Sequence, residues 1–394
     1  MRILVYLHSF EAGGVERVAL RLAGEWAARG EDVHVAMGRD SGPQRHHAPA
    51  NVTYDFARPS RLAAPFETLW MVFHLVGAIR RHRPDVLFCA GNTYTIVAML
   101  VRLIIGRKCP PTVCKLSNSL ERRDLAAPAR AGFAFWLRLH RHFIDRFVGM
   151  AEPMREEIAR VVGVARGRIE IVPDPALTVS ELHALAAPSM PRRVGRRFVA
   201  IGRMNAQKNF ALLLRAFAAF CGQDDRLVIV GDGPRRLRLE RLAQQLGIAD
   251  RIELPGYSQS VVEGLAGSDV FVLSSDYEGV PAVIIEALAA GIPIVATDCS
   301  ASMRCLLEDG EFGTLVPIRD RSALAAAMDE APARATVPVD AMRAKAEQFT
   351  IERAAGPYLD ILSAAARSAI KSSGSSSPTW SRTRLEAGGA DTVR

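Results

Sequence analysis

The sequence is poor in cysteine and has no long apolar run. Its 394 residues include six cysteines with no C-x-x-C spacing, which excludes a disulfide scaffold or a zinc ribbon and favours a reducing compartment. The longest apolar stretches, residues 68–79 and 96–105, are shorter than the ~18 residues that a membrane-spanning helix needs. The apolar start, residues 2–7, turns polar by Ser9 and is too short for a secretion signal. We therefore expect a cytoplasmic protein.

Aromatic residues are also scarce, at 7% of the chain, and the positive charge is unevenly placed. Residues 1–187 carry 25 Lys and Arg against 18 Asp and Glu, and residues 98–146 alone carry 10 against 3. Without interleaved aromatics or a nucleic-acid motif, nucleic acid is a poor candidate partner. Two interpretations stay open for the basic, partly apolar segments 96–108 and 136–142. Each forms either a core helix, with Arg107 and Lys108 at the last turn of the first segment, or a peripheral contact with an anionic membrane, at the inner face of that membrane. For the basic patch as a whole, the alternative to a membrane contact is a solvated surface rich in arginine.

Short apolar runs of strand length alternate with amphipathic helical patterns in both halves of the chain. This alternation predicts an α/β fold with parallel sheets covered on both faces. A proline- and alanine-rich stretch, residues 173–197, separates the halves. We expect two doubly wound, Rossmann-like domains, residues 1–175 and 190–352, that face each other across a cleft. The predicted strands are residues 2–7, 32–37, 85–89, 112–116, 197–202, 227–231, 252–254, 270–273 and 294–296.

Two cations follow the first strand of the second half. Arg203 and Lys208 lie five residues apart on a strand-to-helix loop, a spacing that suits a diphosphate. Taken alone, an exposed loop with two surface charges is an equally good interpretation. The nearby Gly231–Pro234 segment lacks a full G-x-G-x-x-G pattern, and we interpret it as a tight turn into a helix.

The most informative segment follows the predicted strand 270–273. Here Glu278 precedes a predicted helix and Glu286 lies inside it, with Pro281 as a favourable first helical residue. The backbone N–H groups of Gly279–Ala282 would form an anion site at the helix start. Eight residues along a helix span ~12 Å, which is too wide for a shared metal ion but suits two ends of one elongated ligand. Inside an apolar helix, a buried Glu286 would need hydroxyl partners.

These residues form an E-x7-E motif that resembles the retaining glycosyltransferases of family 4, which have the GT-B fold. The resemblance extends from about residue 1 to about residue 365 and includes further motifs in family order. These motifs are Gly13-Gly-Val-Glu-Arg17, Gly202-Arg203, Lys208-Asn209, Gly231-Asp-Gly-Pro234, Gly256-Tyr257, Ser268–Ser275 and Gly291–Asp298.

The resemblance implies roles for these residues. Arg203 and Lys208 would hold the diphosphate of a nucleotide sugar, Glu278 would contact the transferred sugar, and Glu286 would bind the ribose hydroxyls. Arg203, Lys208 and Glu278 are thus the expected catalytic residues. The family needs no metal and no cofactor, and the chain contains no D-x-D pair. The other expected donor-binding residues are Gly13, Gly14, Tyr257, Gly279, Val280 and Pro281.

The acceptor side departs from the family pattern. Many relatives have a histidine after the fourth strand of the first domain, where this chain has Ser117 and Asn118. These two residues and His8 are our candidates for the acceptor side, although a lone histidine is more often structural. Asp174 replaces a more usual asparagine before proline and is interpreted as a turn residue.

The expected function is transfer of a sugar, with retention of configuration, from a nucleotide diphosphate sugar to a hydroxyl of a lipid-linked or cell-surface polysaccharide acceptor. The context of residues 297–300 resembles that of UDP-sugar users in surface-polysaccharide pathways, and this resemblance favours a UDP-sugar over a GDP-sugar. The alternatives are a non-catalytic nucleotide-sugar binding protein and a GT-B epimerase. The family also predicts that a final helix, about residues 355–370, packs back on the first domain, and residues 371–394 are expected to form a disordered tail.

Overall fold

The structure is a computed structural model and describes residues 1–11, 13–57, 67–118, 120, 125–186, 194–258, 260–332 and 337–374. Two parallel sheets of seven and six strands form the cores of the two halves in these described ranges. The predicted fold class, two α/β domains of the GT-B type, is confirmed.

The first sheet has the order β3-β2-β1-β4-β5-β6-β7, and all its neighbouring strands run parallel. Its central strands are continuous apolar runs because helices cover both faces, and Ile3, Leu4 and Val5 are fully buried. The strand order reverses between β1 and β4, so a cleft opens at their carboxyl ends. The strands are β1 (Arg2–Leu7), β2 (Asp32–Met37), β3 (Thr53–Phe56), β4 (Val86–Cys89), β5 (Thr112–Lys115), β6 (Arg146–Gly149) and β7 (Ile169–Ile171). The helices are α1 (Gly14–Ala28), α2 (Glu67–His82), α3 (Thr95–Ile105), α4 (Ala127–Leu139) and α5 (Pro153–Ile158).

The second sheet has the order β10-β9-β8-β11-β12-β13 and reverses between β8 and β11. Its strands are β8 (Arg197–Ile201), β9 (Arg226–Val230), β10 (Ile252–Gly256), β11 (Val270–Leu273), β12 (Ile294–Thr297) and β13 (Thr314–Val316). The helices of this half are α6 (Val179–Leu185), α7 (Phe210–Phe217), α8 (Arg236–Gln245), α9 (Val261–Leu265), α10 (Ala282–Ala290), α11 (Ala301–Leu306), α12 (Arg321–Glu330) and α13 (Val339–Glu347).

The last helix, α14 (Ile351–Gly374), packs against α1, β4 and β5 of the first half. An aromatic cluster makes this contact: the rings of Trp26 and Tyr358 lie 6.2 Å apart, and Phe88 lies 5.7 Å from Tyr358. The Trp26 indole N–H also donates to the carbonyl oxygen of Ala355 at 3.3 Å. The chain therefore crosses twice between the halves, and Leu177 forms a parallel bridge with Thr350 where the two crossings meet.

The crossing segment and the chain end differ in detail from the sequence prediction. The stretch expected to be a linker contains α6, which a Thr178–Glu181 capping box starts and which packs on α10 and α13. Helix α14 runs to Gly374, four residues into the expected tail, and the remainder of that tail, 375–394, lies outside the described residues. Among the described helices, none is long and apolar enough to cross a bilayer.

Candidate active site

Glu278 lies at the centre of a polar cluster at the carboxyl ends of β8 and β11. Its side chain is 8% exposed, and its Oε1 accepts from the Lys208 ammonium at 2.7 Å and from the Ser275 hydroxyl at 2.7 Å. Oε2 accepts from Gln207 Nε2 at 3.1 Å. Two of the three expected catalytic residues, Lys208 and Glu278, therefore form an ion pair. The third, Arg203, is exposed on the same loop as Lys208.

The two loops that carry this cluster are joined by hydrogen bonds. The Ser274 hydroxyl donates to the Lys208 carbonyl at 2.8 Å, and Asn209 Nδ2 donates to Asp276 Oδ1 at 2.9 Å. Asn209 has a φ of 44°, in the left-handed region that asparagine tolerates. Nearby, burial first and then the Glu278 charge raise the pKa of the Cys299 thiol to about 12, so that thiol stays protonated.

The Gly231–Pro234 segment closes on the backbone of the Lys208 loop. A Cβ atom on Gly231 would lie 2.1 Å from the Gly202 carbonyl oxygen, and one on Gly233 would lie 2.7 Å from the Met204 carbonyl oxygen. Both glycines have positive φ values, 137° and 157°, which a side chain would strain. The segment is thus a tight turn that packs two loop backbones together, as the sequence analysis favoured.

Glu286 makes an ion pair across the cleft. The residue is 1% exposed on α10, and its Oε1 accepts from Arg17 of α1 at 2.8 Å. Burial alone would lower the pKa of Arg17, but the Glu286 carboxylate outweighs this effect and raises it. Arg17 therefore stays charged, and it brings the glycine-rich start of α1 to the carboxylate expected to bind ribose.

Gly279 brings the two halves into backbone contact. A Cβ atom at this position would lie 2.4 Å from the Ser117 carbonyl oxygen and 2.9 Å from Met150 Cε. The Gly279 carbonyl accepts from the Ser300 hydroxyl at 2.9 Å. Val280 and Pro281 are buried beside it. Pro281 is the N-cap of α10 and not its first helical residue, a shift of one position from the expectation.

The glycine pair begins α1, with Gly13 as its N-cap. A Cβ atom on Gly14 would meet nothing within 4 Å, whereas one on Gly13 would meet Glu16 Oε2 at 2.1 Å. No packing within the described protein therefore requires a glycine at position 14.

The acceptor-side candidates lie around the end of β1 and β5. The His8 ring stacks on the Tyr94 ring at 5.0 Å, and the Tyr94 hydroxyl donates to Glu16 Oε1 at 2.7 Å. Burial, followed by the Glu16 charge, raises the pKa of Tyr94. Ser117 and Asn118 are both half-buried.

Two further predicted residues make contacts that join elements. Tyr257, 44% exposed, accepts a hydrogen bond on its hydroxyl from Gln44 of the first half at 3.1 Å. Asp174 is buried and lies 2.7 Å from the Lys115 ammonium, which is 3% exposed. Asp174 is therefore half of a buried ion pair, which goes beyond the turn role that the sequence suggested.

The sequence analysis missed several contributors to this site. Arg17 stood in a quoted motif but received no role, and its partner is 269 positions away. Gln207 lies next to Lys208, and Ser275 ends the quoted Ser268–Ser275 motif, but neither received a role. Glu16 stood in the same motif as Arg17 without a role, and Tyr94 carried no signal in the sequence.

Comparison with known proteins gives matches in both halves. Residues 12–175 match the model of Glycosyltransferase Family 4, and residues 195–332 match that of Glycosyl transferases group 1. Together with the GT-B fold, these matches support a glycosyltransferase of family 4.

Two relatives and one solved structure illustrate the similarity. The lipopolysaccharide core biosynthesis glycosyltransferase LpsE of Rhizobium meliloti is 26% identical over 91% of this chain and 98% of its own. A Campylobacter jejuni N-acetylgalactosaminyltransferase, named for a diphospho-undecaprenol substrate, is 33% identical over 32% of this chain and 34% of its own. The structure of Anabaena HepE with UDP and glucose has a TM-score of 0.70 at 18% identity, and covers 92% of this chain and 99% of its own.

The extent of these matches differs. The chain spans only 22% of an exopolysaccharide phosphotransferase of Streptomyces coelicolor and about a third of the Campylobacter enzyme, but nearly all of LpsE. Relatives matched here are named for lipopolysaccharide and polysaccharide biosynthesis. At 18% identity, the likeness to HepE supports the fold alone.

Proposed function

We propose that this protein is a retaining glycosyltransferase that moves a sugar from a nucleotide diphosphate sugar, with UDP favoured over GDP, to a hydroxyl of a lipid-linked or surface-polysaccharide acceptor. The observation that carries this proposal is the Glu278 cluster, in which a buried carboxylate, Lys208 and the loop of Arg203 meet at one point of the cleft. HepE was solved with UDP-glucose, and the Campylobacter relative is named for a lipid-linked substrate, which supports this donor and acceptor class.

The chemistry follows from where charge develops. As the glycosidic bond to the diphosphate breaks, negative charge grows on the leaving phosphate. Fixed cations in a water-poor cleft stabilise that charge most effectively. Lys208 and Arg203 would take this role, so the reaction would need no metal ion or other cofactor. When the donor binds, its sugar hydroxyls would share Glu278, and Lys208 would turn from the carboxylate to the diphosphate.

Glu286 would accept hydrogen bonds from the ribose hydroxyls at the other end of the donor. Gly13, Gly14 and the backbone of Gly279 would approach the phosphates and sugar from the two halves. Tyr257 lies at the cleft rim and would border the base. His8, Ser117 and Asn118 would face the acceptor.

A membrane contact is the second part of the proposal. We define the basic apolar edge as the exposed residues Leu103, Ile104, Lys108, Phe135 and Arg138. They lie in the C-terminal parts of α3 and α4, which precede β5 and β6. This places them at the amino ends of the strands, opposite the cleft. Open cavities of about 560 and 400 Å³ border this edge, lined by several arginines. Cationic and apolar groups together suit an anionic bilayer surface, where a lipid-linked acceptor would be found.

The test begins with thermal melting in the presence of UDP, GDP, ADP or NAD at equal high concentration. A nucleoside diphosphate at ~100 times its Kd should add ~2.7 kcal/mol to stability, and we expect this shift with one nucleoside diphosphate but not with NAD. The protein is then incubated with the matching nucleotide sugar, with and without a lipid-linked acceptor, and the anomeric configuration of the product is read by NMR.

The product distinguishes the alternatives. Transfer with retained configuration supports the proposal, and inverted product contradicts the retaining mechanism. An epimerised nucleotide sugar formed without acceptor would identify an epimerase. Binding without hydrolysis or transfer would identify a non-catalytic binding protein.

A further inference from the structure

Two arginines one helical turn apart on α1 reach into the second half of the protein. Arg17 contacts Glu286, and Arg21 contacts Glu181 of α6 through two guanidinium nitrogens, with one of them 3.1 Å from the Ala176 carbonyl. The Arg21 pair is bidentate and satisfied. The Arg17 pair uses one nitrogen and one oxygen.

The Arg17 contact leaves polar groups unused in the core of the cleft. The Nε–H of Arg17 is buried and has no hydrogen-bond partner among the described residues. Among the described residues, the Glu286 side chain makes one hydrogen bond, which it accepts at Oε1. Leaving the buried Nε–H of Arg17 unpaired is costly, and a buried ion pair by itself adds little stability. A ligand that hydrogen bonds Oε2 would complete the arrangement.

We propose that Arg17 is a positioning residue of the donor site: it holds Glu286 through Oε1, so that Oε2 faces the ribose hydroxyls, and it thereby links donor binding to the approach of the two halves. This inference rests on the proposed function, since it takes the nucleoside ribose as the ligand of Glu286. Arg17 acts through Glu286 and does not itself react.

The experiment compares the Kd of a nucleoside diphosphate with that of its 2′,3′-dideoxy analogue, measured by calorimetry. UDP, GDP and ADP are each tested with their analogues. Hydrogen bonds to a charged group contribute enough that the wild-type protein should prefer the natural nucleotide ~10- to 100-fold. Arg17→Gln should reduce this preference to about threefold or less, as should Glu286→Gln. Arg17→Lys should retain an intermediate preference, because it keeps the charge without the planar fork.

Arg21→Gln is the matched control. It removes a neighbouring contact between the halves but leaves Glu286 untouched, so the preference for the ribose hydroxyls should remain at the wild-type value. If Arg17 had a merely structural role, its replacement would weaken the binding of the natural nucleotide and of its analogue equally. The ratio of the two Kd values would then stay unchanged. Should Arg17→Gln fail to fold, Arg17→Lys carries the same comparison.

The outcomes separate this inference from the proposed function. If the wild type prefers the natural nucleotide and Glu286→Gln abolishes that preference, the donor site is supported. An unchanged ratio in the Arg17 variants then overturns the positioning role alone. Tighter binding of the natural nucleotide by Arg17→Gln also overturns it, since Arg17 would then compete with the ribose. If the wild type binds the nucleotides but does not distinguish the analogues, the positioning role is overturned, whereas sugar transfer is still decided by the product assay. If the wild type binds no nucleotide, both proposals fail.

Discussion

At the scale of the residue, the site depends on charges whose partners come from distant parts of the chain. Lys208 and Glu278 are 70 positions apart, and Arg17 and Glu286 are 269 apart. Each of these carboxylates has a cation partner within the protein. Under the proposed function, the donor would enter a site whose charges are balanced, and its own hydroxyls and phosphates would replace or share existing partners.

Replacement of Lys208 tests its proposed role in charge stabilisation. We expect Lys208→Ala to lower turnover at least ~10²-fold, the usual cost of losing one such group, in a steady-state assay of sugar transfer. Lys345→Ala is the control, because Lys345 pairs with Glu308 of the second half, outside the Glu278 cluster, and its loss should leave turnover unchanged. Activity of Lys208→Ala within threefold of the wild type would remove this residue from the mechanism.

Replacement of Gly279 tests the backbone contact between the halves. The added methyl group of Gly279→Ala would lie 2.4 Å from the Ser117 carbonyl oxygen, so the loop or the domain must move. A displacement of about 1 Å should lower turnover by roughly 10²-fold. Gly132→Ala, where a Cβ meets nothing within 4 Å inside α4, should leave turnover unchanged. Equal rates in the two variants would show that this contact does not position the site.

At the scale of the element, single side chains fix how strands and helices begin. Asp225 accepts from the backbone N–H of Arg196 and of Gly222, each at 2.9 Å, and from the Arg196 guanidinium at 2.7 Å. It therefore ties the starts of β8 and β9 together. These two strands end at the loops that carry Lys208 and the Gly231 turn.

The Asp225 contact predicts a pH dependence of stability. Burial alone would raise the pKa of Asp225, but the hydrogen bonds from Arg196 and Gly222 lower it to about 2, below its ordinary value of about 3.9. A lowered folded-state pKa stabilises the protein above pH ~4, and this contribution is lost as the pH falls from ~4 to ~2. Asp225→Asn should thus cost about 1–2 kcal/mol at pH 7 after allowance for solvent screening.

Urea unfolding at pH 7 and at pH 2.5 measures this effect. The difference between wild type and Asp225→Asn should shrink at the lower pH. Asp250→Asn is the control, since that side chain is 78% exposed and lies 3.7 Å from Arg251. A pH-independent difference would mean that the carboxylate charge is not the stabilising feature.

At the scale of the whole molecule, two chain crossings join the halves and the basic apolar edge lies away from the cleft. Residues 1–187, with 25 Lys and Arg against 18 Asp and Glu, carry most of the net charge of +8, and they also carry that edge. An enzyme held at a membrane by this edge would keep its second half in solution, where nucleotide sugars diffuse.

Vesicle sedimentation tests the basic apolar edge. We expect binding to vesicles rich in anionic phospholipid, and weaker binding at high salt, because screening reduces the attraction. Phe135→Ser should weaken binding several-fold by removing a side chain that is 66% exposed. Leu237→Ser is the control, since Leu237 is 68% exposed on α8 of the second half. Equal loss in both variants, or no binding by the wild type, would contradict this surface.

The sequence by itself determined the two-sheet α/β architecture and the segments that carry the site. Strands buried on both faces must be continuous apolar runs, and the turns after them must be polar or glycine-rich, so both are visible without coordinates. The first and last residues of β1, β8 and β11 were thus predicted to within one or two positions. The loop of Lys208 and the helix of Glu286 were recovered for the same reason.

Only the tertiary structure decided which charges meet. The pairings of Arg17 with Glu286 and of Lys115 with Asp174 depend on how two domains and several crossovers are placed in space. No local period encodes such a pairing, because an ion pair needs a distance of a few ångströms between groups that the sequence separates by tens or hundreds of residues. The same holds for Gly279. No side chain fits at this position because the Ser117 carbonyl of the opposite half lies too close.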